Sequence, residues 1–488
     1  MIKLIYLLFL IATLSTSCAQ TQQNSYSTST EDTIKMVENG LSGAVQIQDS
    51  VNTWNIEDRM KAKGINGVSI AVIRNYKIAW AKGYGRADKD ANTPVTTQTL
   101  FQAASLSKSL NAVGVLKLAQ DKKIDLYTDI NQYLKSWKFP YDTVSHGKKI
   151  TIANLLSHTA GLTVHGFGGY ETGDSIPTLE QILDGKHPAN SDPVRSMFEP
   201  GLRSEYSGGG TTIAQQIVMD VTGEPYATYM QQNVLDPLGM TMSSYQQPPA
   251  RDKEKYLSTG YRGNGEVIKG KYHIYPEQAA AGLWTNPTDL AKYIIETQLS
   301  LQGKSSKVLN AEFTKLRLTP YIDSSAAFGV FIMEKGGVKY FSHGGANEGF
   351  RCQYFGSFDG GNGVVVMVNS DDGSIMNEII NSVASVYQWK DFYTPTVRKA
   401  IAVTKDMIDA YSGKYVLDKD TVTISADEGK TLLHVSNGEN YRIYFSTEQD
   451  FFSPELPFDL KFEKDNSGRV TNIYFKSRGR EMRAMRLQ

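Results

Sequence analysis

Cysteine is almost absent from this chain, with only Cys18 and Cys352 in 488 residues. No disulfide scaffold and no Cys/His metal cluster can be built from so few thiols. The seven histidines include no His-x-x-x-His pair, so zinc hydrolase chemistry is not expected. Neither sign of charge prevails, since 51 Lys and Arg face 51 Asp and Glu. Nothing in that balance favours nucleic acid. Long apolar runs are lacking too: Leu4 to Leu14 is too short for a convincing membrane span. The glycine-rich Gly166-Phe-Gly-Gly-Tyr-Glu-Thr-Gly173 lacks the lysine of a phosphate loop and fits no dinucleotide pattern. It reads, with His165, as a loop over a cleft. No cofactor and no metal are expected.

What is present suits a globular enzyme: 42 glycines for turns and ten per cent aromatics to line a cleft. The length exceeds one ordinary domain. Met1-Ile-Lys3 followed by the Leu4–Leu14 run reads as a signal peptide over residues 1–18. Ser15-Thr-Ser-Cys18-Ala-Gln20 resembles a relaxed lipobox, and lipidation of Cys18 is favoured over simple cleavage nearby. Residues 19–43 then read as a polar tether. An exported protein is expected, periplasmic or attached to the outer membrane through Cys18. Cys352 reads as a packed residue.

Residues 44–63 read as one amphipathic helix with Ile47, Val51, Trp54 and Met60 on one face. Two apolar runs around Asn75-Tyr76 predict a β-hairpin. A helix-rich middle extends to about residue 300. Strands return at 329–333, 338–342, 352–358 and 363–369, and an amphipathic segment 375–389 closes the domain. After Thr394-Pro-Thr396 the texture becomes short alternating runs separated by turn clusters. Residues 405–488 therefore read as a small antiparallel barrel or sandwich with a packing role.

The most informative stretch is Ser105-Leu-Ser-Lys108 at the start of an apolar-periodic helix. Residues i and i+3 share a helical face, so a hydroxyl lies beside an amine. A serine is a poor nucleophile until a neighbour takes its proton, and a lysine that has lost its own can do so. The helix N-terminus suits a position where an anion develops. Ser145 and Lys148 repeat the spacing in Ser-His-Gly-Lys-Lys. There, no stripe like Leu106, Leu110, Val113, Leu116 and Leu118 fixes the lysine.

Two partners can be proposed. Tyr206, in Glu205-Tyr-Ser-Gly-Gly-Gly210, could serve as a general base near a lysine, and Gly208 would let backbone approach a ligand. Tyr411-Ser412-Gly413 repeats that triplet without such a setting. His343, in the sole His-x-Gly of the chain, precedes glycines that suit a strand edge beside a substrate.

The order Ser-x-x-Lys, Tyr-x-x, His-x-Gly resembles the serine β-lactamase and penicillin-binding-protein family, in its class C β-lactamase, D-aminopeptidase and esterase branch. Leu155-Leu-Ser-His158-Thr-Ala-Gly161, Phe198-Glu-Pro-Gly201, Val234-Leu-Asp-Pro-Leu-Gly-Met240 and Ala280-Ala-Gly-Leu-Trp-Thr-Asn-Pro-Thr-Asp-Leu290 are similar to that branch as well. The resemblance implies an α/β (α+β) fold over residues 44–393, an antiparallel sheet flanked by helices with a helical lobe. A lipocalin-like all-β domain follows at 405–488. It implies Ser105 as the acylated nucleophile, Lys108 as its base, and Tyr206 as the group that moves protons to the leaving group and from water. It implies an oxyanion hole from the N–H groups of Ser105 and Ala346, with His343 and Gly345 bordering the substrate. His158 reads as structural.

Two departures bear on substrate. Tyr206-Ser-Gly208 stands where many relatives have Tyr-x-Asn, which removes one amide hydrogen-bond partner. His343-Gly-Gly345 stands where they have Lys-Thr-Gly, and an unperturbed histidine is mostly neutral at pH 7. A substrate carboxylate would be held less firmly, unless Arg351 replaces the lysine. The expected function is an exported serine hydrolase acting on small esters, amides or D-amino-acid peptides. The alternatives are a β-lactamase or D-alanyl-D-alanine carboxypeptidase, or a non-catalytic peptidoglycan-binding or sensor protein of the same fold.

Overall fold

The computed structural model describes residues 26–417, 420–427, 430–435, 440–456, 458–477 and 480–487. The expected signal segment, Cys18 included, lies outside the described residues. Asn75 and Tyr76 both take positive φ, 52° and 61°, and close the expected hairpin of β1 (Gly67–Arg74) and β2 (Lys77–Asp88). Two left-handed residues in a two-residue loop match the twist of the strands they join. The remaining strands of their sheet are β3 (Thr93–Pro94), β4 (Ala326–Ala327), β5 (Val330–Lys335), β6 (Val338–Asn347), β7 (Phe350–Ser357) and β8 (Gly363–Val368). They form one antiparallel sheet in the order β3-β2-β1-β8-β7-β6-β5-β4. Segments far apart in sequence thus meet at the β1–β8 pair.

β1 and β8 are near-continuous apolar runs because helices cover both faces of the sheet. Val68, Ile70, Val72, Val364, Val366 and Val368 point into one core, while Ala71, Ile73, Val365 and Met367 point into the other. The helices that cover the sheet and carry the helical lobe include α1 (Thr28–Glu38), α2 (Ile56–Lys63), α3 (Ser107–Gln120), α4 (Gly208–Thr222), α5 (Pro287–Leu301) and α6 (Ser374–Val386). α1, α2 and α6 close the first core; α3 and α5 close the second, which continues into the helical lobe around α4.

Two sequence readings are corrected. The tether reading of 19–43 fails in its described part. Ser27 caps α1, whose Ile34 and Val37 are buried, and the Tyr26 hydroxyl donates to the Ala81 carbonyl at 3.0 Å. Polar composition concealed the two apolar residues, spaced i and i+3, that pin this helix. The single helix expected at 44–63 is instead a strand, Val45–Ile47, then an open turn, then α2. Asn52 bonds Ile47 through both backbone groups, and Asn55 caps α2 by accepting from Glu57 N–H at 2.9 Å. These side-chain bonds compete with helix formation, and Val51 is left 88% exposed.

Val45–Ile47 pairs in parallel with Thr396–Arg398 on the connection to the last domain. That domain opens with a helix, Lys405–Tyr411, followed by a closed eight-stranded barrel. Its interior is filled by aromatic rings: Tyr411 stacks on Phe462 with centroids 4.2 Å apart, and Phe451 on Phe462 at 4.3 Å. Glu455 of the barrel pairs with Lys63 at 3.1 Å and with Arg59 at 3.4 Å on α2.

Candidate active site

Ser105 sits in a single 3-10 turn, Ala104–Leu106, that leads into α3. Ala104 before it is held at φ +48°, a conformation alanine rarely adopts. Several bonds hold the turn. The Ser107 hydroxyl donates to Ala104 O at 2.6 Å and accepts from Leu283 N–H at 3.0 Å. The Cys352 thiol lies 3.0 Å from Ala103 O, and burial pushes its pKa up, so it is the packed residue expected.

One helical turn onward, Lys108 is 4% exposed and reaches back to Ser105. Its Nζ lies 3.1 Å from Ser105 Oγ and donates to the Ala280 carbonyl at 2.7 Å. Ala280 belongs to the four-residue helix Gln278–Ala281. Among the described residues no carboxylate forms an ion pair with Lys108. The amine therefore answers to a hydroxyl, a carbonyl and an aromatic ring, the last being Tyr206 with its centroid 5.0 Å away.

Tyr206 lies just before α4, where Ser207 caps the helix by accepting from Gly210 N–H at 2.9 Å. A Cβ on Gly208 would stand 3.0 Å from the Phe167 ring, so the glycine-rich loop packs directly against this turn. Around the phenol are His158 at 4.4 Å, His343 at 6.2 Å and Phe331 at 6.4 Å between ring centroids. The three segments proposed from sequence converge on one place.

His343 is buried, and its Nδ1–H donates to Gly344 O at 2.6 Å. Burial, with the Lys108 charge second, lowers its pKa to about 4. His158 is lowered well below the usual histidine range by the same two causes in the same order. Both rings are therefore neutral at pH 7. Arg351 is no substitute cation, because it pairs with Asp371 at 3.0 Å and donates to Asn347 O at 2.7 Å.

β6 outruns β5, whose pairing with it ends at Ser342. Among the described residues, 343–347 consequently have a strand neighbour, β7, on one side only. Gly345 faces inward: a Cβ there would stand 2.5 Å from both Ala103 O and Cys352 Sγ. Its role is to let the strand approach the serine turn. Ala346, beside it, is exposed and presents the open strand edge. Such an edge can offer backbone N–H groups to a carbonyl oxygen lying between it and Ser105.

The profile of the family described as Beta-lactamase matches residues 54–386, well over half of the chain. The chain belongs to the Beta-lactamase family. The curated relative "Protein flp" of Staphylococcus aureus (strain N315) is 27% identical over 273 residues, 54% of this chain and 51% of its own length. The chain thus spans about half the length of that relative. "Putative penicillin-binding protein PbpX" of Bacillus subtilis (strain 168) is 26% identical over 348 residues, 69% of this chain and 79% of its own. Among solved structures, the octameric penicillin-binding protein homologue from Pyrococcus abyssi superposes with a TM-score of 0.61. It is 19% identical and covers 88% of this chain and 98% of its own. D-amino acid amidase from Ochrobactrum anthropi SV3 has a TM-score of 0.56 at 21% identity, covering 74% and 98%. These likenesses establish the β-lactamase-like fold.

Sequence reasoning missed the immediate surroundings of this Beta-lactamase-family site. The Ala280 carbonyl and Phe331 carry no side-chain chemistry that a motif would flag. Glu277, four residues before Ala281, is fully buried with no hydrogen-bond partner for either carboxylate oxygen among the described residues, and burial raises its pKa to about 8. An acidic residue next to the apolar Ala279-Ala-Ala281 was the available signal.

Proposed function

We propose that the protein is a serine hydrolase that works through an acyl-serine intermediate on small esters, amides or D-amino-acid-containing peptides. The observation that carries this reading is the 3.1 Å approach of Lys108 Nζ to Ser105 Oγ, with the Tyr206 ring against the amine. In its neutral form the lysine takes the serine proton as Oγ attacks the substrate carbonyl carbon. The carbonyl oxygen becomes an oxyanion between Ser105 and the open edge at Ala346. Tyr206 passes the proton to the departing alcohol or amine, and the C–O or C–N bond breaks. Water then attacks the acyl-serine, giving up a proton along the same path, and the acid leaves with Ser105 restored.

The neutral His343 and the engaged Arg351 favour substrates without a carboxylate beside the scissile bond. This ranks ester and amide hydrolysis above β-lactam or D-alanyl-D-alanine cleavage, in keeping with likeness to a D-amino acid amidase. A fluorophosphonate probe should label Ser105, and Ser105→Ala should abolish labelling and turnover of a nitrophenyl ester. Full turnover by that variant would refute the reading. Tight ligand binding by the wild type without acylation would point instead to a sensor or peptidoglycan-binding role. Parallel assays with a chromogenic cephalosporin separate the β-lactamase alternative.

Export with lipid attachment at Cys18 is part of the proposal, supported by Met1-Ile-Lys3 and the Leu4–Leu14 run. Fractionation of cells expressing the full chain or Cys18→Ala tests it. Release of the variant from membranes is expected, and a cytoplasmic location for both would overturn it.

A further inference from the structure

We propose that His158 is the positioning residue that holds Tyr206 in its proton-transferring place, by gripping the backbone N–H groups of the residues on both sides of it. The proposal rests on Tyr206 being the proton carrier of the reaction above. His158 is itself left-handed, at φ +60°, a conformation that is costly for most residues other than glycine. This bend delivers two acceptors from one residue. The His158 carbonyl accepts from Glu205 N–H at 2.7 Å, and the imidazole Nδ1 accepts from Ser207 N–H at 3.2 Å. The residues before and after Tyr206 are thereby tied to the same histidine, and the His158 ring packs on the phenol at 4.4 Å.

Neighbouring bonds complete the grip. His165 Nδ1–H donates to the Tyr206 carbonyl at 2.5 Å. Val164, also left-handed at φ +63°, gives its carbonyl to Gly209 N–H at 2.9 Å. A β-branched residue in that region is a strained one. Strain in two places within one short segment signals that this segment is shaped to meet the Tyr206 turn. Only the Nε2–H tautomer of His158 leaves Nδ1 free to accept from Ser207. Burial and the Lys108 charge both oppose a second proton that would break this bond.

The test compares His158→Phe, which keeps a flat ring but loses the acceptor, with His158→Asn, whose Oδ1 can take the place of Nδ1 and whose backbone tolerates positive φ. A misplaced phenol should hurt poor leaving groups most, because they need protonation to depart. For His158→Phe we expect the single-turnover acylation rate of Ser105 by an anilide to fall by about a hundredfold, within the range of a positioned acid–base group. For acylation by a nitrophenyl ester the fall should be less than about fivefold, while deacylation, which uses the same phenol, slows equally whichever substrate supplied a given acyl group. His158→Asn should recover most of the anilide rate. Equal acylation losses on the two substrates, or no recovery with Asn, would overturn the proposal. Ring 15N spectra of the wild type give a test independent of any variant: the neutral Nε2–H tautomer is expected at pH 7, and Nδ1–H refutes it. A wild type that fails to acylate Ser105 would instead refute the hydrolase reading.

Discussion

Lys108 and Ser105, one helical turn apart, place an amine nitrogen 3.1 Å from a hydroxyl oxygen, and the Ala280 carbonyl fixes the amine from the other side at 2.7 Å. Lys108→Met keeps the side-chain length and removes the amine proposed as the base. Ester hydrolysis should fall by about a thousandfold or more, as expected for loss of the group that activates a nucleophile. Thermal unfolding should shift only modestly, since no ion pair is broken among the described residues. Single-turnover acylation rates measure the effect.

Gly345 and Cys352 form a cross-strand pair whose contact leaves no room for a methyl group. In Gly345→Ala the new Cβ would meet Ala103 O and Cys352 Sγ at 2.5 Å. β6 must then retreat from the serine turn, with an overpacking cost of about 1–3 kcal/mol. We expect a lower melting temperature and at least about a tenfold drop in kcat, as a displaced oxyanion donor would cause. Cys352→Ala should not rescue it, because the Ala103 carbonyl remains.

Glu277 is protonated in the fold at pH values where a free glutamate is ionised, with burial the cause and a pKa of about 8. Its stability contribution is fully present below the unfolded value near 4.5 and is lost as pH rises through 8. Glu277→Gln removes this dependence. The variant should match the wild type near pH 4.5 and exceed it above pH 8, by at most roughly 5 kcal/mol. Denaturant unfolding across that range is the check.

His343 titrates in the opposite sense. Its folded pKa of about 4 lies below the usual value, so the unfolded chain takes up the proton first. Stability from this group is present above pH 6.5 and is lost as pH falls towards 4. His343→Gln should flatten that acid limb in thermal melts. Replacing the ring by an ammonium, as in His343→Lys, should tighten binding of a carboxylate-bearing acyl compound by about tenfold, roughly one charge-assisted hydrogen bond.

Arg59 and Glu378 join α2 to α6 through two parallel bonds, Nε to Oε2 at 2.8 Å and Nη2 to Oε1 at 2.7 Å. Arg59→Ala leaves a buried carboxylate without its main partner. A destabilisation of about 3–5 kcal/mol is expected, with kcat unchanged at temperatures where the variant is folded.

Much of this arrangement was legible before any coordinates. Asn75-Tyr76 announced its hairpin through flanking apolar runs. The stripe from Leu106 to Leu118 fixed the helix that sets Ser105 beside Lys108, because i,i+3 proximity is a local property of any helix. The turn-punctuated alternation after residue 405 likewise announced an antiparallel β domain, barrel or sandwich, and the structure closes it into a barrel. Reading 44–63 as one helix failed because Asn52 and Asn55 bond to nearby backbone, a competition that periodicity does not register. Reading 19–43 as a tether failed in its described part, from residue 26, because two apolar residues sufficed to dock a helix.

The amino-acid order alone set Ser105 and Lys108 on one helical face and marked a strand-rich region after residue 405, since these follow from helical and strand periods that neighbouring residues impose. Tertiary structure alone decided that His158 touches Tyr206, that His343 is neutral and that Arg351 is engaged elsewhere. Those properties depend on burial and on charges brought from remote segments. Burial and through-space charge have no period in the sequence, so no spacing of residues could disclose them.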